Sequence, residues 1–246
     1  MKANITTIMT KEMRWFLGLF KPIACILFRF ARKIKSLCLQ LYFKIHFALI
    51  ESQWTYSQKD YVKWANSPLP EDYIKQIQRL GKMFHDFIGD NSLTLDVGCG
   101  NGLLGGKSYE EIGYSYLEEN AVGVDPLPLL GPKPKWLSEY TRGISEKLAF
   151  RSEVFDSIVL ATTLDHIENI SECLDECKRV LRKTGSLNIW LTCIKDFSAF
   201  DLAHSNRFTK ESLTLMLDAH GWQIIKTFVE RFSDTGDTVF IKAKKR

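Results

Sequence analysis

Three glycines and two aspartates mark the stretch of this sequence that is best suited to bind a small ligand. The glycines alternate at Gly98, Gly100 and Gly102, directly after a short apolar run, and Asp96 lies at the mouth of that turn. Glycine has no Cβ, so such a turn lets the backbone approach a ligand closely. Asp96 is able to hold an amine or a hydroxyl, and Asp125, which ends a second apolar run, is able to accept hydrogen bonds from both hydroxyls of a ribose. The pattern favours an adenosine-type ligand, although an ordinary strand-to-helix turn also produces such glycines.

Four short apolar runs predict the strands that position these residues. They lie at 93–97, 121–125, 155–161 and 187–191. Ligands of open α/β sheets bind beyond the carboxyl ends of the strands, where both aspartates lie.

Helical patterns separate or flank the predicted strands. Pro70 opens a helix that Gly89 ends, and a second helix runs through Leu174 to Leu181 and is closed by 183–185. Thr209 is a suitable N-cap for a third helix, which reaches His220. The segments 222–229 and 238–243 then predict a closing antiparallel pair.

The ordered series of segments resembles the class I S-adenosylmethionine-dependent methyltransferases of the small-molecule type (methyltransferase type 11-like). Residues 95–102, Leu-Asp-Val-Gly-Cys-Gly-Asn-Gly, match the glycine-rich first motif without a gap, and Val124–Asp125 match the ribose-binding acid. Residues 145–150, 164–167 and 179–187 resemble the later motifs. The resemblance covers roughly 70–245. It implies an α/β fold: a Rossmann-like, seven-stranded, mostly parallel sheet flanked by helices, with an antiparallel C-terminal strand pair. It also implies S-adenosylmethionine as the cofactor.

The resemblance assigns site residues position by position. The residues that it places at the cofactor are Asp96, Gly98, Cys99, Gly100, Asn101, Gly102, Asp125, Pro126, Ser145, Glu146 and Ala161. His166 is the candidate catalytic base, because its motif lies near the methyl end of the cofactor in this family. It is equally compatible with capping or packing against the next helix. His204 is a second choice, and Asp165 could orient either histidine or act as an N-cap. Methyl transfer from a sulfonium does not require a base.

Two features depart from the family pattern. Asp96 and Asp125 are 29 positions apart (125 − 96), against about 20 in the comparable dinucleotide fold. We therefore expect an irregular helix or an insertion within 105–119. Ile144 stands where the family often has an acid facing the adenine amine, which leaves Ser145 or the backbone to contact it.

Length and composition fit one α/β domain with an extension. The 246 residues are 45% hydrophobic and 25% charged, as in ordinary globular proteins. The six cysteines include no Cys-x-x-Cys pair, and Cys173 and Cys177 are spaced for packing on a helix. The prediction is therefore reduced thiols, no metal ligands and a cytoplasmic protein. We divide the chain into a basic helical extension at 1–50, a linker or cap segment at 51–69, and the methyltransferase domain at 70–246. The aromatic residues of 51–69 could cover the cofactor or simply pack.

The first 50 residues are strongly basic. They hold nine Lys or Arg against one acid, Glu12, a net charge of +8 (9 − 1). Steps of three and four place ten residues on one apolar helical stripe: Phe16, Phe20, Ile23, Leu27, Phe30, Ile34, Cys38, Leu41, Ile45 and Leu49. A kink or break is expected at Pro22.

Three uses of this extension compete. A transmembrane span needs about 20 largely uncharged residues, whereas the longest uncharged stretch of the striped region, 36–43, has eight. Basic residues within the apolar region also argue against a cleaved signal peptide. We expect an amphipathic helix over 11–50 lying in the membrane interface, which would make the protein peripheral. A helix that packs on the domain or on a second copy is the alternative.

The charge of the remaining chain limits the partners. Residues 51–246 carry −4 (4 − 8), so no nucleic-acid partner is expected. The predicted acceptor is a small molecule, either free or lipid-linked, or a glycan. An RNA methyltransferase and a non-catalytic binding module on the same fold are the alternatives.

Overall fold

The computed structural model describes residues 53–89, 93–118, 120–194, 204–233 and 236–246, together with Ile34, Cys38 and Leu41. For 53–57 only the backbone is described. The segments 52–197 and 201–246 form one compact unit. Its helices are α1 (Gln53–Asn66), α2 (Glu71–Ile88), α3 (Ile170–Val180) and α4 (Lys210–Ala219), with a 3₁₀ turn at Leu164–His166. Its strands are β1 (Thr94–Val97), β2 (Leu103–Leu104), β3 (Lys107–Ser108), β4 (Ala121–Asp125), β5 (Leu137–Arg142), β6 (Phe155–Ala161), β7 (Leu181–Ile194), β8 (Trp222–Arg231) and β9 (Gly236–Lys245).

Seven of the strands form one sheet in the order β5-β4-β1-β6-β7-β9-β8. The first five pair in parallel, whereas β9 runs antiparallel to both β7 and β8. The predicted fold class, a mostly parallel Rossmann-like sheet with an antiparallel C-terminal pair, is confirmed.

Each face of the sheet is covered by helices. Alternation along β1 sends Leu95 and Val97 into the apolar layer that α3 and α4 cover. Asp96 points to the opposite layer, where Phe84 of α2 packs with Trp190 and other aromatic side chains. This aspartate is therefore surrounded by an aromatic core.

The helix boundaries follow local chemistry. Pro70 is the N-cap of α2 and Gly89 its C-cap, as predicted. The Thr209 side chain accepts a hydrogen bond from the Ser212 amide and forms a capping box at α4, also as predicted.

The predicted end of α3 is wrong. The helix stops at Val180, and Leu181 opens β7 by pairing with Phe155. Residues 183–185 lie inside the strand. A Cβ on Gly185 would lie 2.8 Å from the Asp156 carbonyl oxygen, so this glycine permits close packing rather than ending a helix.

The connection from β1 to β4 contains no helix in its described residues, 98–118 and 120. A two-stranded hairpin, β2 with β3, and a series of turns replace it. Tyr109, Tyr114 and Tyr116 fill the space and pack around Trp136. The irregularity expected from the long spacing between the two aspartates is confirmed.

Most predictions for residues 1–50 lie outside the described residues. Three positions of the predicted stripe are described: Ile34, Cys38 and Leu41 are helical and exposed. Within the described part of the chain, no helix has the length and apolar character needed to cross a membrane.

Candidate functional site

A cavity of about 770 Å³, counting its open mouth, lies at the carboxyl ends of β1, β4 and β6. We call it the glycine-loop cavity. Its lining includes Gly98 after β1, Asp125 at the end of β4, residues 143–146 after β5, and Thr162 and Thr163 after β6. This is the edge at which open α/β sheets bind ligands.

The Asp125 carboxylate is held in place from both sides. Its Oδ2 accepts a hydrogen bond from the Gly100 amide at 2.9 Å, and its Oδ1 accepts one from the Leu127 amide, also at 2.9 Å. The residue is 6% exposed. Burial raises the pKa of this carboxyl, while the two amides and nearby His166 act in the opposite direction. Each carboxylate oxygen has a further lone pair with which to accept a ligand hydroxyl.

The absence of a Cβ on Gly98 lets the Thr163 side chain pack directly against the loop. Gly98 has a φ of +74°, and a Cβ there would lie 2.2 Å from the Thr163 Cγ2. The Thr163 hydroxyl donates to the Ala161 carbonyl at 3.0 Å and lies 3.3 Å from the Gly98 carbonyl. Thr162, beside it, has a φ of +51°, which is unusual for a β-branched residue. Such strain is often retained at functional sites.

The other predicted residues of the loop do not line the cavity. They pack on the side of the loop that faces away from it. A Cβ on Gly100 would meet the Tyr109 hydroxyl at 2.4 Å, and one on Gly102 would meet the Pro132 carbonyl at 2.5 Å. The Asn101 side chain accepts from the Leu103 amide. Cys99 and Ala161 are also buried, and neither lines the cavity.

Asp96 lies beneath the loop and is fully buried. Its Oδ2 accepts hydrogen bonds from the Tyr116 hydroxyl at 2.9 Å and from the Trp136 indole at 3.1 Å. Its Oδ1 has no hydrogen-bond partner among the described residues. Burial raises the pKa of Asp96 to about 7, although both donors oppose the shift. Asp96 is not among the residues that line the glycine-loop cavity.

The resemblance assigns one side of the glycine-loop cavity to the adenine. Pro126, Ile144, Ser145 and Glu146 all line it. The Ser145 hydroxyl donates to Glu146 Oε2, and Glu146 Oε1 accepts from the Asn169 amide. Ile144 is 40% exposed at this surface and offers an apolar contact in place of the missing acid.

A second cavity adjoins the first, and we call it the histidine cavity. Tyr61, Thr162 and His166 line both cavities. The histidine cavity also contains Asp165, His204 and an aromatic wall formed by Trp64, Tyr73 and Phe232. His166, the predicted base, therefore lies where the two cavities meet.

Helix α1 covers the junction. Its Tyr61 ring packs edge-on against His166, with ring centroids 6.4 Å apart, and its hydroxyl would be 3.1 Å from a Cβ on Gly100. Of the aromatic residues of 51–69, which the sequence left as either a cover or plain packing, Tyr61 lines both cavities and Trp64 lines the histidine cavity. Gln58 also lines the glycine-loop cavity, and no sequence pattern identified it.

Asp165 faces His204 and does not cap α3. Its Oδ2 lies 3.5 Å from His204 Nε2, and the two histidine rings are 4.5 Å apart. Asn169 takes the capping role instead, because its side chain accepts from the Glu172 amide. The sequence was compatible with Asp165 as an N-cap or as a partner of a histidine. In the structure it lies beside the histidines.

Comparison with known proteins identifies the domain. Residues 95–189 match the family model described as methyltransferase domain. The mitochondrial ubiquinone biosynthesis O-methyltransferase of Rattus norvegicus is 31% identical over 109 residues, which cover 39% of this chain. The match spans only 29% of the length of that relative.

Solved structures show the same fold. A Thermotoga maritima S-adenosylmethionine-dependent methyltransferase, described as a possible histamine N-methyltransferase, has a TM-score of 0.54 at 14% identity and covers 78% of this chain and 99% of its own. The [4+2]-cyclase SpnF has a TM-score of 0.51 at 13% identity, covering 68% and 80%.

Residues 95–189 therefore match a methyltransferase domain, and the fold is the one found in solved S-adenosylmethionine-dependent methyltransferases, as the sequence resemblance implied. S-adenosylmethionine is the cofactor that this family and fold imply. The residues present fit it, since the two backbone amides that fix the Asp125 carboxylate leave a lone pair on each oxygen for a ribose hydroxyl.

Proposed function

We propose that the protein transfers a methyl group from S-adenosylmethionine to a hydroxyl of a small-molecule acceptor. The observation that carries this proposal is the junction of the two cavities at Tyr61, Thr162 and His166. In-line methyl transfer needs the cofactor and the acceptor to meet at one point, with the rest of each molecule held apart. The glycine-loop cavity would take the cofactor and the histidine cavity the acceptor.

Each part of the glycine-loop cavity has a counterpart in the cofactor. Asp125 would accept hydrogen bonds from the ribose hydroxyls, and Ile144 with the backbone of 143–146 would border the adenine. When bound, S-adenosylmethionine supplies an electrophilic methyl group. The protein has to hold the acceptor next to that group and keep water out. The Tyr61 ring of α1, which lines both cavities, would do so at the junction.

The histidine cavity suits an acceptor with an apolar ring and a polar edge. Trp64, Tyr73 and Phe232 offer aromatic surface, whereas Thr192 and the histidines offer hydrogen bonds. The rat relative is named an O-methyltransferase, which supports oxygen as the atom methylated. His166 would accept the proton of that hydroxyl, with Asp165 and His204 beside it.

The test follows a labelled methyl group. The purified chain is first titrated with S-adenosylmethionine by calorimetry, and one site per chain is expected. It is then incubated with methyl-labelled cofactor and a panel of hydroxylated aromatics, prenylated lipids and glycans. Labelled product should form with wild type, should fall at least about tenfold with His166→Ala, and should be unchanged with the surface variant His85→Ala. The absence of cofactor binding would overturn the proposal. Cofactor binding without transfer to any acceptor would support a non-catalytic binding module instead.

We also propose that residues 11–50 hold the protein at a membrane surface, where the acceptor would be lipid-linked or a glycan. The +8 charge of 1–50 and its apolar stripe are the support, together with the helical, exposed positions Ile34 and Leu41. A basic amphipathic helix binds anionic lipid.

Flotation tests this membrane proposal. The full chain should float with vesicles that contain 30% anionic lipid and remain behind with neutral vesicles, and Arg32→Glu with Lys33→Glu should reduce the floated fraction. Equal behaviour on both kinds of vesicle would refute electrostatic attachment.

A further inference from the structure

Thr162, the residue that follows β6, has a backbone conformation that its side chain disfavours. Its φ is +51°, which lies in the left-handed region. A branched Cβ crowds the backbone there, so this conformation is a genuine outlier for threonine. Two other described residues besides glycine have a positive φ, Asn120 and Glu153, and neither is β-branched. Among the described residues, Thr162 therefore carries the clearest backbone strain.

The fold requires this conformation at the end of β6, but it does not require a threonine. The Thr162 amide donates to the Trp190 carbonyl of β7 at 2.7 Å, and the chain then enters the 3₁₀ turn Leu164–His166. Glycine adopts a positive φ without crowding, and eight described glycines do so, Gly98 and Gly100 among them. The backbone path alone would favour glycine here, so the presence of threonine points to a use for its side chain.

The Thr162 side chain is accessible where the two cavities meet. Thr162 lines both the glycine-loop cavity and the histidine cavity, and it is exposed. The neighbouring Thr163 differs, because its hydroxyl donates to the Ala161 carbonyl at 3.0 Å and it lines only the glycine-loop cavity. Of the two consecutive threonines, Thr162 is thus the one that both ligands of the proposed reaction would reach.

We propose that Thr162 holds the acceptor in place, its hydroxyl donating a hydrogen bond to the acceptor oxygen at the point of methyl transfer. This inference deepens the proposed function and rests on it. An alcohol oxygen carries one proton and two lone pairs. One lone pair attacks the methyl group, and the second accepts the hydrogen bond from Thr162. The oxygen gains the methyl group and loses its proton to His166, while the sulfur keeps the electron pair of the broken bond.

The second hydrogen bond matters because of direction. A single hydrogen bond to His166 leaves the acceptor free to turn about it, whereas a second one from Thr162 fixes the attacking lone pair. In-line transfer depends on such alignment, since a misplacement of about 1 Å can cost about 100-fold in rate. The strained backbone then presents a hydroxyl at a point where glycine would present none.

Thermal unfolding of the full chain tests the strain. Thr162→Gly should raise the melting temperature by about 2–4 °C, because glycine adopts the same φ without crowding. Thr227→Gly is the matched control. Thr227 is exposed in β8, where glycine weakens a strand, so this variant should melt below wild type. A Thr162→Gly protein that melts no higher than wild type would overturn the inference, since Thr162 would then not be strained.

Methyl transfer to the acceptor panel, of which catechol is the smallest member, tests the hydroxyl. Thr162→Val keeps the branched shape without the hydroxyl, so kcat should fall at least about tenfold, with an unchanged calorimetric Kd for S-adenosylmethionine. Thr162→Ser keeps the hydroxyl and should stay within about fourfold of the wild-type kcat, since only a methyl group is lost. Thr227→Val, at the exposed position of β8, should match wild type.

The outcomes separate this inference from the proposed function. If wild type methylates a panel acceptor and Thr162→Val is equally active, or Thr162→Ser is as impaired as Thr162→Val, the role of the hydroxyl is refuted and the proposed function stands. If wild type methylates no acceptor of the panel, the proposed function falls and this inference falls with it, whatever the melting temperatures.

Discussion

Replacing Asp125 by Asn separates the two tasks that the structure gives this carboxylate. One task is structural, because its oxygens accept the Gly100 and Leu127 amides at 2.9 Å each. The other is the proposed contact with the two ribose hydroxyls. Asn has nearly the same shape but only one oxygen, so its amino group must face a donor on one side.

The expected loss of cofactor affinity follows from the strength of hydrogen bonds to a charged group. Such bonds contribute about 1.5–3 kcal/mol each, against about 0.5–1.5 kcal/mol for neutral ones. Loss of the charge at two ribose contacts, with one acceptor removed, amounts to about 2–4 kcal/mol, which weakens the cofactor affinity about 30- to 1000-fold. In the Asp125→Asn protein the side-chain amino group faces a backbone N–H, so two donors oppose each other. This costs about 1–3 kcal/mol of stability and lowers the melting temperature by about 2–12 °C.

Calorimetric titration with S-adenosylmethionine and thermal unfolding measure these effects separately. Asp218→Asn is the matched control, because Asp218 pairs with Arg246 on the surface of α4; it should change neither the affinity nor the melting temperature appreciably. An Asp125→Asn protein that melts earlier but binds the cofactor with wild-type affinity would refute the ribose assignment. The carboxylate would then serve only to hold the glycine loop.

Three further predictions address Gly98 in the glycine loop, the buried Asp96 and the Tyr61 ring of α1. Gly98→Ala should abolish measurable cofactor binding because of the clash with the neighbouring threonine. Gly89→Ala has nothing within 4 Å, so it should cost only the backbone strain of its φ of +70° and ψ of −176°, about 1–3 kcal/mol of stability. Equal effects of the two substitutions in unfolding and calorimetry would exclude the clash. Burial raises the pKa of Asp96 to about 7, so the folded state keeps a proton that the unfolded chain loses, and stability should fall as the pH rises from about 4 to 7. Measured by urea unfolding across that range, the free energy of unfolding should depend less on pH in Asp96→Asn than in wild type. An unchanged pH dependence would contradict the raised pKa of Asp96. Tyr61→Ala should weaken cofactor binding about tenfold through lost apolar contact. Trp64 lines only the histidine cavity, so Trp64→Ala should leave the cofactor Kd unchanged. The reverse result would assign the cofactor to the histidine cavity and the acceptor to the glycine-loop cavity.

The sequence predicted those strands that are mostly apolar and almost wholly buried. The runs at 121–125 and 155–161 coincide with β4 and β6, because both strands are buried between helices. It missed β5 at the edge of the sheet, where of six residues only Leu137 is buried. It also misplaced the start of β7, because Lys183, Thr184 and Gly185 are residues typical of turns. Edge position and close packing, rather than propensity, decide those segments.

The predicted cofactor residues fall into two groups in the structure. Asp125 and Gly98 line the glycine-loop cavity as expected, whereas Asp96 lies beneath it. The sequence left open whether Asp165 contacts a histidine or caps a helix, because the 39 positions (204 − 165) between Asp165 and His204 are bridged only by the tertiary fold. Nor does any sequence signal mark Thr162, because its strain arises from the backbone at the end of β6.

The missing helix between β1 and β4 has an electrostatic consequence for the choice of ligand. In dinucleotide-binding folds a helix begins at the glycine loop, and its N-terminus carries roughly half a positive charge that attracts the pyrophosphate. No helix begins within residues 98–118 of this chain, so that partial charge is absent from the loop. Its absence removes an attraction for phosphate and a repulsion for a sulfonium. A dinucleotide would therefore find no helix N-terminus at this loop for its pyrophosphate, and its binding would depend on other contacts.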